Sequence, residues 1–275
     1  MCGLFGWSFS KAKVPSQEAR LILANRLGRC MDERGGDSWG WSNGQETKKG
    51  KGDISHIGNL SRISRNRSVI AHTRWATTGA KTVSNAHPFR FGNIVGAHNG
   101  IVENHEYLNQ RHGRNFPVDS MHIFAHLHAG IPTSEIAAYG AVEWIDSKDN
   151  SVWLGYFNGG SLAISKTKYG PVWASTKEAL ESALDEACIK GALYGLDEDE
   201  AYTVIDGTLY ETKMKLDFDY YYGAGWRTSQ VSVSHQSDQY YNNNLMSDEA
   251  YAMLKSNTSS STYEWDKASQ RWVRT

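Results

Sequence analysis

Short runs of strand-forming residues, separated by Gly-, Asn- and Ser-rich turns, limit most strongly the folds open to this chain. The runs include CGLFGWSFS at 2–10, SWGWS, SVIAHTRWA and NIVGAHNGIV, then GAVEWID, SVWLGYF, SLAISKT, PVWAST and AYTVIDGTLYETKMKL. Turn residues at 148–150, 158–160 and 206–207 indicate hairpins between successive strands. The pattern predicts antiparallel sheets built from short strands.

Helical stretches flank these strand-rich blocks. Ser16 is a suitable N-cap for a helix through SQEARLILANRLGRCMDERGG, a second helix follows Asp119, and a third begins at Thr176. A short helix is also expected over residues 133–139. Together they predict an α+β layered domain that reaches about residue 217.

Beyond this point the composition changes. Residues 218–275 form a polar, aromatic-rich extension with YYNNN and SNTSSST as low-complexity patches. Within the extension, SDEAYAMLK predicts a helix and TYEWDKASQRWVRT predicts a small aromatic hairpin. We expect this extension to recruit a partner enzyme or to fold back on the main domain.

Charge and cysteine content exclude several classes of protein. The formal net charge is -1 without a long basic run, which argues against a nucleic-acid partner. No apolar run approaches the roughly 20 residues of a membrane span, and the N-terminus lacks the features of a signal peptide. Three widely spaced cysteines fit a reducing compartment. We therefore expect a soluble, cytoplasmic protein.

Cys2 is the first residue that suggests chemistry. Removal of Met1 would give Cys2 a free α-amine beside its thiol. Such an amine has a pKa of about 7.7–8.0, so it can accept the thiol proton near neutral pH. One residue would then supply both nucleophile and base. By itself, however, a cysteine at this position is more commonly a small buried residue.

Several motifs in fixed order make the functional interpretation specific. They are RGGDSWG at 34–40, AHTRWATTG at 71–79, SNAHPF at 84–89 and GAHNGIVENHEYL at 96–108. With the N-terminal CGLFG, they resemble the class II glutamine amidotransferases, and within that family the glutaminase domain of glutamine:fructose-6-phosphate amidotransferase. The strong resemblance covers residues 2–127, and a looser one continues to residue 217. It implies an N-terminal nucleophile (Ntn) hydrolase fold, a four-layer α/β/β/α sandwich with antiparallel sheets.

The resemblance assigns catalytic roles to matching residues. Cys2 would attack the glutamine amide carbon and form a γ-glutamyl thioester. Asn99 and Gly100 would stabilise the oxyanion through a side-chain amide and a backbone N–H. Arg34 and Gly35 would position the amine of the nucleophile.

It also assigns the substrate contacts. Arg74 would bind the α-carboxylate of glutamine, for which a guanidinium fork is well suited. Thr77 would add a hydroxyl to the same carboxylate, and Trp75 would wall the pocket. Asp119 would pair with the α-ammonium group. His87, in the AHPF segment, is expected to fix the loop over the pocket and not to transfer protons.

Simpler interpretations exist for some of these residues. Arg74 at a strand edge could be a surface ion-pair partner. Asp119 could cap the helix that follows it, in addition to binding substrate. Asn99-Gly100 is also an ordinary type I′ hairpin turn.

Three positions depart from the resemblance. Thr78 stands where the sugar-aminating enzymes usually carry His, Gly36 where they carry Tyr, and Met121 where the family often has Glu. None of these changes removes a group needed to cleave glutamine. They affect the expected details of substrate contact and of communication with an acceptor domain.

Three histidines on the second helix are candidate metal ligands. His122 and His126 are four residues apart, and His128 follows. No acidic or thiol side chain shares that helix face, so packed or solvated histidines are the better interpretation. We expect neither a metal nor a cofactor.

The expected function is hydrolysis of the L-glutamine side-chain amide. No synthase-like segment or phosphate-binding Gly loop is present in the sequence, so we expect a separate synthase or transferase to accept the ammonia. An alternative is a stand-alone Ntn amidohydrolase for another γ-glutamyl or N-acyl amide. A catalytically silent binding protein is a third possibility, against which the intact Cys2, Asn99 and Gly100 argue.

Overall fold

The structure is a computed structural model that describes residues 2–56, 58–219, 263–266 and 271–274. Its strands, numbered in chain order, are β1 (Gly3–Ser8), β2 (Ser38–Ser42), β3 (Thr47–Lys51), β4 (Ser68–Arg74), β5 (Phe89–Phe91), β6 (Ile94–Val102), β7 (Ala138–Asp146), β8 (Ser151–Phe157), β9 (Ala163–Thr167), β10 (Gly170–Ala174), β11 (Gly191–Tyr194), β12 (Glu200–Ile205), β13 (Thr208–Lys215), β14 (Tyr263–Asp266) and β15 (Arg271–Arg274). Its helices are α1 (Gln17–Asp32), α2 (Asn59–Ile63), α3 (His105–Arg111), α4 (Met121–Ala129) and α5 (Lys177–Glu186), with two 3-10 helices at Ile54–His56 and Thr133–Glu135.

Two large antiparallel sheets organise the fold. The first has the strand order β11-β9-β10-β1-β4-β2-β3, and the second has the order β13-β12-β8-β7-β6-β5. The strand that follows Cys2, β1, lies near the centre of the first sheet between β10 and β4. The Asn99-Gly100 pair lies on β6 of the second sheet.

Three buried apolar clusters separate four layers. One cluster, with Leu27, lies between the helices α1 and α5 and the first sheet. A second, with Ile70 and Val204, lies between the two sheets. The third, with Phe124 and Trp144, lies between the second sheet and α4. This arrangement confirms the predicted α/β/β/α sandwich with antiparallel sheets.

The predicted helix starts at Ser16 and Thr176 are confirmed. Ser16 Oγ accepts a hydrogen bond from Ala19 N at 3.1 Å, and α1 begins one residue after Ser16. Thr176 Oγ1 accepts from Ala179 N at 3.3 Å at the start of α5. Each cap satisfies one of the backbone N–H groups that a helix start leaves without an intrahelical partner.

Two local predictions were wrong. Residues 133–139 form a three-residue 3-10 turn followed by the start of β7, because Ala138 pairs with Val102 of β6 instead of continuing a helix. Residues 158–160 do not close a hairpin, because β8 belongs to the second sheet and β9 to the first. The chain crosses between sheets at this turn, which local turn residues cannot specify.

The other two predicted hairpins are present. Strands β7 and β8 pair across residues 148–150, where Asn150 has a φ of 61°. Strands β12 and β13 pair across Asp206-Gly207, whose φ values of 45° and 78° suit a type I′ turn.

Packing continues slightly beyond the predicted boundary at residue 217. Leu216 and Phe218 are buried against the second sheet, and Asp219 N donates to Ile136 O at 2.9 Å. The division into residues 2–217 and 218–275 stays a prediction.

Only part of the C-terminal extension is described. The predicted hairpin is present as β14 and β15, which pair antiparallel with Trp265 opposite Trp272. The helix predicted for SDEAYAMLK at 247–255 lies outside the described residues. In the part of the chain that the structure covers, no helix is both long enough and apolar enough to cross a membrane.

Candidate active site

The Cys2 thiol lies where β1 begins, beside the end of β4. Trp75 N donates to Cys2 Sγ at 3.3 Å, and the same sulfur lies 3.5 Å from Trp75 O. Arg34 Nε donates to Cys2 O at 3.0 Å, which fixes the backbone of the cysteine. This hydrogen bond from Arg34 to the cysteine backbone supports the prediction that Arg34 positions the nucleophile.

Burial raises the pKa of the Cys2 thiol, and the hydrogen bond from Trp75 N opposes this effect. The nearby Arg74 charge lowers the pKa of the thiol, and the Asp119 charge raises it. The net direction is upward, so the thiol is protonated at neutral pH and needs a base before it can attack.

Gly35 allows a close approach of two chain segments beside the nucleophile. A Cβ at Gly35 would lie 2.7 Å from Thr73 O and 2.8 Å from the Arg74 carbonyl carbon. Any larger residue would push the turn after α1 away from the end of β4. Gly35 therefore acts by steric fit.

Ser175, for which no role was predicted, joins Asn99 to the strand of the nucleophile. Its Oγ accepts from Leu4 N at 2.8 Å and from Asn99 Nδ2 at 3.1 Å. Asn99 Nδ2 carries two hydrogens, so one holds the amide in place and one is left to donate to a ligand. The only sequence signal was the position of Ser175 in the loosely matching PVWASTKEAL segment.

The register of β6 determines where the Gly100 N–H points. Glu103 N donates to Ala137 O, in the segment that leads into β7, at 2.7 Å. Because N–H groups alternate between the two edges of an antiparallel strand, Gly100 N and Val102 N point to the edge away from β7. Asn99 and Gly100 lie inside β6, so their interpretation as a hairpin turn was wrong.

Side chains lie on both sides of the Gly100 N–H at this edge. On one side, the His87 ring accepts from His98 N through Nδ1 at 3.1 Å. On the other side, Asp119 Oδ2 accepts from Val102 N at 2.8 Å. The expected oxyanion donor and the expected ammonium-binding carboxylate therefore share one edge of β6.

Asp119 does not cap the helix that follows it. The N-cap of α4 is Ser120, and no side chain makes a capping hydrogen bond there. The Asp119 carboxylate is buried and directed to Val102 N instead. Its interpretation as a helix cap was therefore wrong.

Arg74 ends β4 and is only 3% exposed, which excludes the surface ion-pair interpretation. Its Nη1 donates to Ala80 O at 3.4 Å, and its Nη2 donates to Thr78 O. Burial lowers the pKa of the guanidinium, while the nearby Cys2 and Asp119 raise it. The predicted carboxylate ligand is thus a buried cation close to the thiol.

The loop after Arg74 carries the remaining predicted substrate contacts. Trp75 is 55% exposed and Thr77 is also exposed. Asp37 anchors the loop, since its carboxylate accepts from Ala76 N at 2.9 Å and from Lys81 Nζ at 2.7 Å. Asp37 lies in the RGGDSWG motif, but the sequence offered no specific role for it.

Three buried histidines lie behind the β6 edge. The rings of His72 and His87 stack with centroids 4.1 Å apart. The His98 ring lies between Ser120 Oγ at 2.9 Å from Nδ1 and Tyr139 O at 3.2 Å from Nε2. The contacts of the His87 ring with the His72 ring and with His98 N suit it to hold the 84–89 segment in place. Burial lowers the pKa of His72 to about 3 and of His98 to about 4, and lowers that of His87 well below its ordinary value.

We expect these histidines to make the fold acid-labile. Their folded pKa values are depressed, so the stability they contribute is present above about pH 6.5 and is lost as pH falls. Buried Glu143 acts in the opposite direction. Burial raises its pKa, so the folded protein binds this proton at a higher pH than the unfolded chain does, and Glu143 stabilises the fold as pH falls towards 4.5. For these three histidines and Glu143 together, a net uptake of about two protons on unfolding predicts a loss of about 2–3 kcal/mol between pH 6 and pH 5. His122 and His126, whose pKa values burial also lowers, add to this loss, and Asp149, whose pKa burial raises to about 6, opposes it.

Urea unfolding at pH 5, 6, 7 and 8 measures this effect. The variant Glu143→Gln removes the opposing proton and should steepen the loss between pH 6 and 5 by about 1.4 kcal/mol. A free energy of unfolding that is level between pH 7 and 5 would show that these histidines take up no protons on unfolding.

Known sequences match the first half of the chain. A family model for "Glutamine amidotransferases class-II" matches residues 1–145. Glutamine--fructose-6-phosphate aminotransferase [isomerizing] of Chlorobaculum tepidum is 38% identical over 120 residues, which are 40% of this chain and 18% of that protein. The same enzyme of Wigglesworthia glossinidia brevipalpis is 60% identical over 42 residues, 15% of this chain and 7% of that protein. The matched segments thus span less than a fifth of these relatives.

Solved structures match more of the chain. Glutamine phosphoribosylpyrophosphate amidotransferase from B. subtilis has a TM-score of 0.58 and 19% identity, over 80% of this chain and 50% of that one. A structure described as the allosteric regulatory enzyme of purine biosynthesis has a TM-score of 0.60 and 21% identity, with the same coverage. At these identities the match establishes the fold, and it confirms the Ntn-hydrolase fold class.

Proposed function

The chain belongs to the class II glutamine amidotransferases, and we propose that it hydrolyses the side-chain amide of L-glutamine through a γ-glutamyl thioester on Cys2. The observation that carries this proposal is the link between nucleophile and oxyanion donors. Ser175 Oγ bonds both Leu4 N, two residues after Cys2, and Asn99 Nδ2. A carbonyl attacked by Cys2 Sγ would then develop its negative charge close to Asn99 and Gly100.

The proposed reaction balances with groups of this chain and water. The α-amine of Cys2, freed by removal of Met1, takes the thiol proton as Sγ attacks the amide carbon. The C–N bond then breaks, and the leaving nitrogen takes that proton to depart as ammonia. Water hydrolyses the thioester, releases glutamate and restores the thiol. Intact-mass measurement should therefore show that the active protein lacks Met1.

The proposed substrate clamp consists of Arg74 and Asp119. A guanidinium has five N–H donors, so the contacts to two loop carbonyls leave donors for an α-carboxylate. One carboxylate oxygen of Asp119 accepts a hydrogen bond from Val102 N, and the other can accept from an α-ammonium group. A clamp with both charges selects an α-amino acid over a simple amide. Trp75 and Thr77 would complete the pocket from the loop.

Substrate analogues test this proposal and its alternative. We expect glutamine to be hydrolysed with a kcat/KM at least about 10²-fold above that of 4-aminobutanamide, which lacks the carboxylate, or 4-carbamoylbutanoate, which lacks the amine. An N-acyl glutamine should also be a poor substrate. Equal or faster hydrolysis of these analogues would favour the alternative, an amidohydrolase for other γ-glutamyl or N-acyl amides.

The Ser175 hydroxyl is expected to position Asn99. The variant Ser175→Ala should lower kcat by about tenfold with little change in KM, the effect of one lost hydrogen bond. Ser175→Thr keeps the hydroxyl and should recover most of the rate. Ser161→Ala is the matched control, because among the described residues Ser161 Oγ donates only to the backbone oxygen of Ser175, at 3.1 Å. Full activity in Ser175→Ala would remove Ser175 from the mechanism.

We further propose that a synthase or transferase on a separate chain accepts the ammonia. The two sequence relatives are aminotransferases by name, and the segments that match this chain account for less than a fifth of their length. Co-purification followed by ¹⁵N transfer from amide-labelled glutamine would identify the acceptor. Release of all the label as free ammonia, with every co-purified protein present, would contradict delivery to a partner.

A further inference from the structure

Three side chains outside the proposed active site converge on one point. They are His112, which directly follows α3, His126 on α4, and Glu135, which ends the second 3-10 helix. One donor atom from each lies within 4.8 Å of the others. Three separate elements therefore contribute to this group, which we call the His-His-Glu cluster.

The spacing of the donor atoms fits a shared cation. His112 Nε2 lies 3.0 Å and His126 Nε2 lies 3.8 Å from Glu135 Oε2. Around tetrahedral Zn²⁺, with metal–ligand distances of about 2.0–2.1 Å, neighbouring donor atoms are about 3.3 Å apart. The observed distances lie on either side of this value.

The His126 ring is oriented as a ligand would be. It is fully buried, and its Nδ1 lies 2.8 Å from His122 O. If Nδ1–H donates to this carbonyl, Nε2 carries the lone pair, which is the second-shell arrangement typical of metal-bound histidine. This Nε2 is buried without a hydrogen-bond partner among the described residues, and it faces a carboxylate. Two electron-rich atoms at this separation would be stabilised by a cation between them.

Two arginines also border the cluster. Arg111 Nε donates to Glu135 Oε2 at 3.3 Å, and Arg111 Nη2 donates to Glu135 Oε1 at 3.5 Å. Because Arg111 is half exposed, it can keep Oε1 while Oε2 turns to a metal. Arg114 Nη1 lies 3.1 Å from His126 Nδ1, so the competing account is a metal-free network in which Arg114 donates to that nitrogen.

We propose that His112 Nε2, His126 Nε2 and Glu135 Oε2 bind one divalent transition-metal cation, with water completing the coordination. Two imidazoles and one carboxylate suit Zn²⁺ best among the common cations. The metal would join α3, α4 and the turn before β7, and so brace the helix that begins two residues after Asp119. It is a structural site and takes no part in the chemistry at Cys2.

The helix pattern missed this cluster for a specific reason. The helical spacing pairs His122 with His126 on one helix face, but His122 contributes only its carbonyl oxygen to the cluster. His112 and Glu135 come from other elements, and His128 is exposed. His122 and His126 are buried, as expected for packed histidines. We revise the expectation that no metal binds.

Zinc binding to untagged, full-length protein tests the proposal. After dialysis against a chelator, Zn²⁺ would be titrated in competition with a chromophoric chelator. We expect one tight site per chain and a Tm that rises with Zn²⁺. The variants Glu135→Gln and His112→Gln should each weaken binding at least as much as the roughly 10–100-fold seen on loss of an outer-shell partner.

His128→Gln is the matched control, because this exposed histidine on the same helix lies outside the cluster and should leave binding unchanged. All variants keep the three cysteines, so binding that persists unaltered in both Glu135→Gln and His112→Gln would belong to thiols and would overturn the proposal. Absence of a saturable site in the wild-type chain would overturn it as well and would favour the arginine network. Circular dichroism of each metal-free variant separates lost binding from lost folding.

Discussion

Replacing Cys2 by alanine is expected to lower kcat for ammonia release from glutamine by at least about 10⁴-fold, as for removal of the nucleophile in other covalent hydrolases. The alanine variant has no group that can form the thioester, so only hydrolysis by bound water remains. Coupled glutamate detection measures the residual rate. Labelling by 6-diazo-5-oxo-norleucine, a glutamine-like alkylating agent, should disappear in the same variant.

The other two cysteines provide the controls for this experiment. Cys30, on α1, is partly buried against the apolar cluster between α1, α5 and the first sheet, and Cys188 is exposed. Among the described residues, no side-chain hydrogen bond joins either cysteine to a predicted site residue, so Cys30→Ala and Cys188→Ala should keep the wild-type kcat. Ammonia release that survived in Cys2→Ala would mean that the nucleophile is another residue.

The second large effect is expected at Asn99. Its amide is held by Ser175 Oγ, so the remaining N–H is already oriented when the substrate oxyanion forms. Removal of one such donor costs about 10²–10³ in kcat, or about 2.7–4 kcal/mol of transition-state stabilisation. We expect Asn99→Ala to show this loss with only a modest change in KM, because the oxyanion exists only after attack.

Asn93→Ala is a matched control for Asn99→Ala. Asn93 directly precedes β6 and bonds Asp146 at 2.8 Å, at the opposite end of the strand from Asn99. Its replacement removes an amide of equal size without touching the site. A rise in KM with kcat unchanged in Asn99→Ala would mean that Asn99 binds the ground-state amide and does not stabilise the oxyanion.

The local patterns in the chain predicted most elements because their signals are local. Ser16 and Thr176 can each satisfy an N–H three residues away, so they mark helix starts without help from the rest of the fold. Asp206-Gly207 tolerates positive φ and therefore marks a hairpin. The turn at 158–160 carries a similar local signal, yet it leads to the other sheet. The next strand there is chosen by burial of Leu162 and Ile164 between the sheets.

The candidate site divides in the same way. The order of motifs along the chain was sufficient to propose Cys2, Arg74, Asn99, Gly100 and Asp119 as members of one site, because these residues recur together at similar spacing in the family they resemble. The contacts that hold them depend on residues distant in sequence. Ser175 reaches Asn99 across 76 positions, and no local pattern reports such a bond.

By itself, the sequence determined the layered α+β class and the helix starts at Ser16 and Thr176, and it was enough to propose the members of the site. Only the tertiary structure decided that Asn99-Gly100 is a strand segment, that Asp119 bonds Val102 N, and that His126 meets Glu135. Propensity, turn chemistry and capping act over a few residues, so they can be recognised from the sequence. Strand register and the convergence of distant side chains are set by the combined burial of both sheets, which no short segment encodes.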